Sequence, residues 1–215
     1  MMATIVSLLD LLMPPACAAC GRSGALLCPQ CLGGLQAPSR PADRFLASDA
    51  GVVVGDALWL ALAAFAYEGP MRRALAAFKY SGASRLAPIL ARAAAPAFGE
   101  LLRITGPAVL VSVPVHRERQ RARGYNQAEL IARRLGVPMA PALERVRPTT
   151  KQHRLNRVAR LQNLRGAFRA TGAVPTVAIL VDDIITTTAT LEACASVLRE
   201  AGCEAVFGFA VAREV

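Results

Sequence analysis

Residues 178–190, which read AILVDDIITTTAT, constrain the fold of this chain more than any other segment. Four apolar residues run directly into two adjacent acids, Asp182 and Asp183, and then into a threonine-rich turn. The next residues have apolar side chains at helical spacing and end at Gly202. An unbroken apolar run is typical of a strand buried on both faces of a parallel sheet. The segment therefore predicts a buried parallel strand, a short loop and the start of a helix.

The polar residues of this unit indicate a binding site for a ribose 5-phosphate. In open α/β sheets, ligands bind at the carboxyl ends of strands, where a following helix offers free N–H groups to an anion. Hydroxyl donors for phosphate oxygens are provided by Thr186, Thr187, Thr188 and Thr190. Asp182 and Asp183 can accept hydrogen bonds from a ribose diol or hold a hydrated Mg²⁺. The alternative is an ordinary strand-to-loop junction with an N-cap threonine, which a lone pair of acids would favour.

Positive charge is concentrated in one segment of the chain. Residues 116–169 hold 14 of the 25 Lys and Arg residues and three of the 15 acids, so they carry +11 and the remainder is close to neutral. A solvated charged surface usually mixes both signs. The segment therefore indicates a polyanionic partner, which is nucleic acid, a diphosphate or both. A general arginine bias of the genome is the alternative explanation.

The first part of the basic segment joins a predicted strand over 108–115 to a predicted helix over 126–136. Its arginines occupy every second position, at Arg117, Arg119, Arg121 and Arg123. Because alternate residues cannot share one helical face, the sequence favours an extended loop over an anion, with Gly124 as a hinge. We expect Tyr125 to stack on a base and Asn126 to cap the next helix. The alternative is a solvated loop followed by an N-cap.

The second part is a basic arm, residues 147–169, which begins RPTTKQHRLNRVARLQ. Its apolar residues recur at helical spacing, so part of the arm is predicted to be an amphipathic helix with one basic face. The predicted nucleic-acid contacts of the loop and the arm together are Arg119, Arg121, Arg123, Tyr125, Lys151, Arg154, Arg157 and Arg160.

Four of the six cysteines form two CxxC pairs near the amino terminus, at Cys17, Cys20, Cys28 and Cys31. Two such pairs can place four thiolates around one tetrahedral ion, and zinc is the usual choice. Disulfides are disfavoured in a reducing cytoplasm, and an iron–sulfur centre is the other alternative. Because four thiolates leave no open coordination position, the pattern predicts a structural role for Zn²⁺.

The chain is organised as a small amino-terminal module followed by one larger domain. We assign residues 1–36 to an amino-terminal helix and the zinc module, 37–50 to a linker, and 51–215 to an α/β domain. Strand and helix patterns alternate through the domain, which predicts a mostly parallel sheet with helices on both faces. The longest apolar run, 57–67, is too short to cross a bilayer as a helix, and the amino terminus lacks the basic region of a signal peptide. We therefore expect no membrane span and a cytoplasmic location.

Five motifs, taken in order, resemble the ComF family of phosphoribosyltransferase-like proteins with an amino-terminal zinc finger. They are CxxCG…CPxC, FKYSG, PVHRERQRARGYNQ, TKQHRLNRVARLQNLRGAF and LVDDIITTTATL. The last motif is also similar to the phosphoribosyl diphosphate (PRPP) loop of type I phosphoribosyltransferases. The resemblance covers essentially the whole chain. It implies a type I phosphoribosyltransferase-like fold that binds PRPP with Mg²⁺.

The resemblance also implies roles for individual residues. Asp182 and Asp183 would contact the ribose hydroxyls, and the four threonines Thr186, Thr187, Thr188 and Thr190 would bind the 5-phosphate. The diphosphate loop would be Pro114, Val115 and His116. In an active enzyme, Asp182, Asp183 and Arg117 would be catalytic, and Arg117 would stabilise the departing diphosphate. Thr188 stands where the family usually has glycine or another small residue, and a β-branched residue resists positive φ, which predicts weaker PRPP binding and turnover.

Two functions of different class follow from these features. The family is associated with natural competence, in company with single-stranded DNA, a helicase-like partner and recombination mediators. The first hypothesis is a binding module that holds single-stranded DNA and takes PRPP, or a related ribose phosphate, as a ligand. The second is an active phosphoribosyltransferase of the nucleotide-salvage type. The placement of charge and the threonine at position 188 both favour the first hypothesis.

Overall fold

The computed structural model describes residues 14–38, 51–52, 55–81, 83–148 and 163–214. The predicted amino-terminal helix, most of the linker and the centre of the basic arm lie outside these residues. The strands are β1 Gly51–Val52, β2 Leu60–Ala66, β3 Val109–Ser112, β4 Leu143–Arg145, β5 Phe168–Ala170, β6 Val177–Ile185 and β7 Ala205–Arg213. The helices are α1 Pro29–Gly33, α2 Gly69–Tyr80, α3 Ala87–Thr105, α4 Arg117–Arg123, α5 Gln127–Ala132 and α6 Ala189–Glu200.

Five strands form the central sheet in the order β1–β2–β7–β6–β3. The pairs β2–β7, β7–β6 and β6–β3 are parallel, and only the short β1 is antiparallel to its neighbour. β4 and β5 form a separate antiparallel pair. The prediction of a mostly parallel sheet is therefore confirmed for the described part of the chain.

Helices cover both faces of the sheet, as the apolar strands require. One core contains side chains from α2, α3 and α5, with Phe78 and Phe98 among them. The other core contains side chains from α6 together with residues of β4 and β5. Alternation along β6 places Ile179 in the first core and Leu180 in the second, which is the pattern of a strand buried on both faces.

Strand β6, Val177–Ile185, extends beyond the acid pair, where the sequence predicted that the strand ends. It continues past the acid pair because Ile184 and Ile185 still pair with Ala212 and Arg213 of β7. The acid pair thus lies within a paired strand, whereas the sequence placed it at the strand end. This placement fixes the backbone of both acids more firmly than a loop would.

Helix α6 lies close against the sheet at Gly208 of β7. A Cβ atom at this position would lie 2.9 Å from Leu191 Cδ1 and 3.1 Å from Ala61 Cβ, so only glycine permits the approach. The first turn of the same helix is also held to the segment just before β2, since the Glu192 carboxylate accepts hydrogen bonds from the N–H groups of Ala57 and Leu58 at 3.2 and 3.3 Å. These contacts fix the amino-terminal end of α6 relative to the sheet.

The cysteine module packs against the main domain. Cys17 and Leu27 are 3% exposed and belong to the same core as α2 and α3. The Arg73 guanidinium of α2 also donates a hydrogen bond to the carbonyl of Ala19. The folded structure of the cysteine module and that of α2 therefore support each other.

Candidate functional site

The acid pair of β6 has a cationic partner, and its first member, Asp182, is half-buried whereas Asp183 is buried. Asp183 is 6% exposed, and its Oδ2 lies 3.0 Å from the Nζ atom of Lys79. The backbone N–H of Asp183 donates a hydrogen bond of 2.8 Å to Oδ1 of Asp182. The two carboxylates are thus held by a strand backbone on one side and an ammonium group on the other.

Lys79 is the residue that sequence reasoning missed here. It occupies the last turn of α2, where the negative end of the helix dipole also favours a cation. The motif FKYSG contains Lys79, and the motif was assigned only to the family resemblance. The two partners are separated by about a hundred residues, so no local pattern links Lys79 to Asp183.

The surroundings of Asp182 favour its protonated form. Burial, together with the neighbouring Asp183 carboxylate, raises the pKa of Asp182 to about 7, although Lys79 and the hydrogen bond from the Asp183 N–H act in the opposite direction. A carboxyl group that titrates near neutral pH is typical of a binding or catalytic site.

Arg145 of β4 is a second cation near the acid pair. Burial and the charge of Arg119 lower the pKa of Arg145, whereas Asp182 and Cys194 raise it. The guanidinium groups of Arg119 and Arg145 carry like charges in a partly buried place. They therefore leave an excess of positive electrostatic potential there. Nothing in the sequence indicates that Arg145 lies near Asp182.

The threonine-rich turn follows β6 and leads into α6. Thr186 is exposed, Thr187 and Thr190 are half-buried, and Thr188 is buried at the N-cap of the helix. The backbone of Thr188 has φ −61° and ψ 0°, and its carbonyl accepts the first helical hydrogen bond, from Glu192 N at 2.8 Å. Because this φ is ordinary for threonine, the strain expected at position 188 is absent.

The predicted diphosphate loop lies beside a cavity of about 390 Å³. Pro114, Val115 and Arg117 line this cavity, together with residues of α5 and β4. Neither acid of the pair is part of its lining. His116 Nδ1 lies 3.7 Å from Glu118 Oε2, so the imidazole faces a carboxylate. The cavity therefore lies at the carboxyl end of β3, where Ser112 and Pro114 line it, and it does not include the acid pair.

The arginine-rich segment is a helix, and the prediction of an extended loop is wrong. α4 spans Arg117–Arg123 and has no buried residue, so its polar side chains need no common apolar face. Arginine is also a good helix former. Gly124 has φ 80° and ends the helix in the left-handed conformation, where the sequence predicted a hinge.

Arg123 at the end of α4 lies over the ring of Tyr80, with 5.3 Å between the guanidinium carbon and the ring centroid. Tyr80 is 68% exposed even with this contact. Arg123 also donates a hydrogen bond of 3.1 Å to Oε1 of Gln127. The helix thus presents arginines next to an exposed aromatic ring, and Tyr80 is the residue after Lys79.

Tyr125 and Asn126 anchor the segment that follows α4. The Tyr125 hydroxyl donates a hydrogen bond of 2.6 Å to the carbonyl of Phe78, and the ring packs at 5.6 Å from the Phe78 ring. Since this ring is half-buried, base stacking by Tyr125 stays a prediction. Asn126 Oδ1 accepts a hydrogen bond from the N–H of Ala128 at 3.0 Å, which confirms the predicted N-cap.

The basic arm joins β4 to β5. Its predicted contacts Lys151, Arg154, Arg157 and Arg160 lie outside the described residues. The two ends of the arm are held together, because Arg147 donates hydrogen bonds to the carbonyls of Asn163 and Arg165 at 3.2 and 2.6 Å. The arm therefore begins directly after β4, the strand that contains Arg145.

The four cysteines of the amino-terminal module form one cluster. The Sγ atoms of Cys17, Cys20, Cys28 and Cys31 all lie within 4.8 Å of one another, and those of Cys20 and Cys28 are 3.7 Å apart. Zn–S bonds of about 2.3 Å in a tetrahedron place sulfur atoms about 3.8 Å apart, so the cluster fits a structural zinc ion.

Backbone donors support thiolates in this cluster. Burial acts to raise the pKa of Cys17, but N–H groups of Cys28, Ala19 and Cys20 outweigh it and lower that pKa to about 6. One of these bonds joins Cys28 N to Cys17 Sγ at 3.3 Å. Such N–H···S contacts are the usual outer contacts of cysteine-ligated metal sites.

No family model matches the chain. It is similar, however, to a DNA utilization protein YhgH from Salmonella typhi, with 32% identity over 202 residues that cover 88% of this chain and 85% of the relative. The Escherichia coli K12 protein of the same name is 31% identical over the same coverage. Competence protein F of Haemophilus influenzae is 35% identical over 116 residues, which are 50% of this chain and 51% of that protein.

This chain belongs to the ComF family. The match to full-length relatives extends over most of the chain, and the cysteine cluster expected for the family is present. Among the described residues of this ComF-family chain, no helix has both the length and the apolar character needed to span a membrane.

Proposed function

We propose that this ComF-family protein acts in DNA uptake, where it binds single-stranded DNA on an arginine-rich surface and a ribose phosphate at the acid pair. Relatives named for competence and for DNA utilization support a role in handling DNA. We also propose that the α/β domain is a type I phosphoribosyltransferase-like domain, since its buried strand β6 carries an acid pair and leads into a threonine-rich turn.

The observation that carries the DNA proposal is the exposed helix α4. Its seven residues include four arginines and a single acid, and no residue of the helix is buried. Repulsion among these arginines is relieved when phosphates bind and counterions are released. Tyr80 and Arg123 add an exposed ring and a guanidinium plane, and stacking of a base on an aromatic ring contributes about 1–3 kcal/mol.

The ribose phosphate proposal rests on β6 and α6. Carboxylates of Asp182 and Asp183 can accept hydrogen bonds from a ribose diol, while the N-terminus of the 12-residue α6 and its threonines can donate to a phosphate. The two proposed ligands would bind close together, because Lys79 contacts Asp183 and the next residue, Tyr80, contacts Arg123.

An active phosphoribosyltransferase is the second candidate. The cavity of about 390 Å³ beside Pro114, Val115 and Arg117 favours it, since this volume would admit a base or a diphosphate. In that case Arg117 would stabilise the leaving diphosphate.

One titration separates the two candidates. Zinc-loaded protein is titrated with a labelled single-stranded oligonucleotide, with and without PRPP and Mg²⁺, and diphosphate release is measured in the same samples. The DNA-binding proposal expects salt-sensitive binding and no diphosphate release. Weak DNA binding, with diphosphate released only when one particular base is added, would contradict it and establish the enzyme.

A further inference from the structure

The acid pair does not fit the Mg²⁺ ion that the family resemblance implies. Mg²⁺ takes six oxygen ligands at about 2.0–2.1 Å in an octahedron, and proteins usually hold it through one or two carboxylates together with waters and substrate phosphates. Here Oδ2 of Asp183 lies 3.0 Å from the Lys79 ammonium, and Oδ1 of Asp182 accepts the N–H of Asp183.

The Lys79 side chain cannot move away from Asp183 to admit Mg²⁺ without a cost in free energy. Its side chain is 19% exposed and the Asp183 side chain is 9% exposed, so this is a largely buried ion pair. A divalent cation next to the pair would repel the ammonium, and removing one partner of such a pair leaves an uncompensated buried charge. Lys79 and Mg²⁺ are therefore competitors for the same carboxylate.

The carboxylates retain enough acceptor sites for a sugar. An ionised carboxylate has about four lone-pair sites. The Asp183 N–H occupies one site of Asp182, whereas Oδ2 of Asp183, buried and 3.0 Å from the Lys79 Nζ atom, accepts no hydrogen bond from the described residues. A ribose diol can therefore donate to the pair while Lys79 stays in place. Arg145 adds positive potential on the side of Asp182.

From these contacts we infer that the acid pair binds the ribose of a 5-phosphate ligand without a divalent cation, with the Lys79 ammonium in the place of the metal. This inference rests on the proposed ribose phosphate site and specifies its ion requirement. The ligand class is a ribose 5-phosphate, whether free, as PRPP or within a nucleoside monophosphate. The two hydroxyls of the ribose distinguish it from a deoxyribose phosphate.

The test is calorimetric titration of zinc-loaded protein with ribose 5-phosphate in buffer freed of divalent cations on a chelating resin, without and with added Mg²⁺. We expect the dissociation constants in the two buffers to agree within about twofold. 2-Deoxyribose 5-phosphate should bind at least about tenfold more weakly. Parallel titrations with PRPP and with adenosine monophosphate identify which ribose 5-phosphate binds most tightly.

Variants of Lys79 test the part assigned to the ammonium. In Lys79→Met, ribose 5-phosphate binding without Mg²⁺ should fall at least about tenfold, and the variant should gain a binding site for Mn²⁺ that the wild type lacks. Lys79→Arg should retain metal-independent binding. The control is Arg72→Gln, an exposed change on the same helix, which should behave as the wild type in both buffers.

Two results would overturn the inference, and they are distinguishable. Wild-type binding that appears only with Mg²⁺ would contradict the role of Lys79 and leave the ribose phosphate site in place. Absence of binding in both buffers would contradict the site itself. Because the wild-type comparison needs no variant, the test remains decisive even if Lys79→Met fails to fold.

Discussion

The hydroxyl of Tyr125 donates a 2.6 Å hydrogen bond to the carbonyl of Phe78, which connects the turn after the arginine helix to the last turn of α2. Lys79 and Tyr80 follow Phe78 directly, so the proposed DNA surface and the acid pair depend on the same helix end. Gln127 Nε2 adds a second, longer contact to the same carbonyl at 3.4 Å.

Replacing Tyr125 with phenylalanine should weaken this connection. The change removes one hydrogen bond, and we expect it to lower the free energy of unfolding by about 0.5–1.5 kcal/mol. Urea unfolding of the wild type and the Tyr125→Phe variant, compared at equal m values, measures this difference in the free energy of unfolding. An unchanged midpoint would mean that Tyr125 does not anchor the segment.

Replacing Tyr80 with leucine should weaken binding of single-stranded DNA while leaving its salt dependence unchanged. Stacking contributes about 1–3 kcal/mol per base, so the dissociation constant should rise about 5- to 150-fold. Fluorescence anisotropy at several salt concentrations gives both quantities. Unaltered affinity would remove Tyr80 from the DNA surface, and a flatter salt dependence would show that the change disturbed the neighbouring arginines.

Replacing Asp182 with asparagine should stabilise the protein at alkaline pH. The folded state raises the pKa of Asp182 from 3.8 to about 7, so the stability that comes from its bound proton is complete below pH 3.8 and is lost as pH rises through about 7. Asparagine carries no proton that can be lost. Discounted for partial solvent access, the gain above pH 7 should be about 1–3 kcal/mol.

Thermal unfolding of Asp182→Asn between pH 4 and pH 8 checks this prediction. The gain in stability of the variant over the wild type should be small at pH 4, grow up to pH 7 and then stay constant. Asp56→Asn, an exposed change, serves as the control and should show no such trend. A variant that is less stable than the wild type at pH 8 would contradict the assigned pKa.

Replacing Gly208 with alanine should destabilise the fold, because the new methyl group would meet Leu191 and Ala61 at 2.9 and 3.1 Å. Overpacking of this kind costs about 1–3 kcal/mol. Gly99 in α3 has no atom within 4 Å of the corresponding position, so Gly99→Ala should instead stabilise by up to about 1 kcal/mol. Equal effects of the two changes in urea unfolding would refute the close approach of α6 to β7.

Removing one cysteine of the cluster should lower both zinc content and stability. Cys20→Ser leaves three thiolates, and the module shares a core with α2 through Cys17 and Leu27. We expect less than one zinc per chain by elemental analysis and a lower melting temperature. Cys203→Ala, outside the cluster, should keep its zinc. A fully zinc-loaded Cys20→Ser protein would disprove the four-thiolate site.

Features with a local sequence signature could be predicted, and features built from distant residues could not. The apolar run of β6 predicted a central parallel strand, and the CxxC spacing predicted that four thiolates converge. The end of β6 was misplaced because its extension depends on pairing with β7. The helix α4 was not predicted because arginines at every second position cannot share one helical face. An exposed helix does not need its polar residues to share a face.

The cationic partners of the acid pair are distant from it in sequence and could not be predicted. Lys79 reaches Asp183 from the end of α2, and Arg145 influences Asp182 from a strand outside the main sheet. Only the packing of these elements brings the charges together. The same packing places Tyr80 beside Arg123, a contact that no sequence pattern predicted.

The most direct test of the central claim is the salt dependence of single-stranded DNA binding by a variant with Arg119, Arg121 and Arg123 all changed to glutamine. Each phosphate contact contributes about −0.7 to the slope of log K against log salt concentration, so the slope should become shallower by about 2. The matched control changes Arg72, Arg92 and Arg103, which lie on α2 and α3, and should keep the wild-type slope. A slope unchanged by the α4 substitutions would contradict the claim that this helix binds DNA.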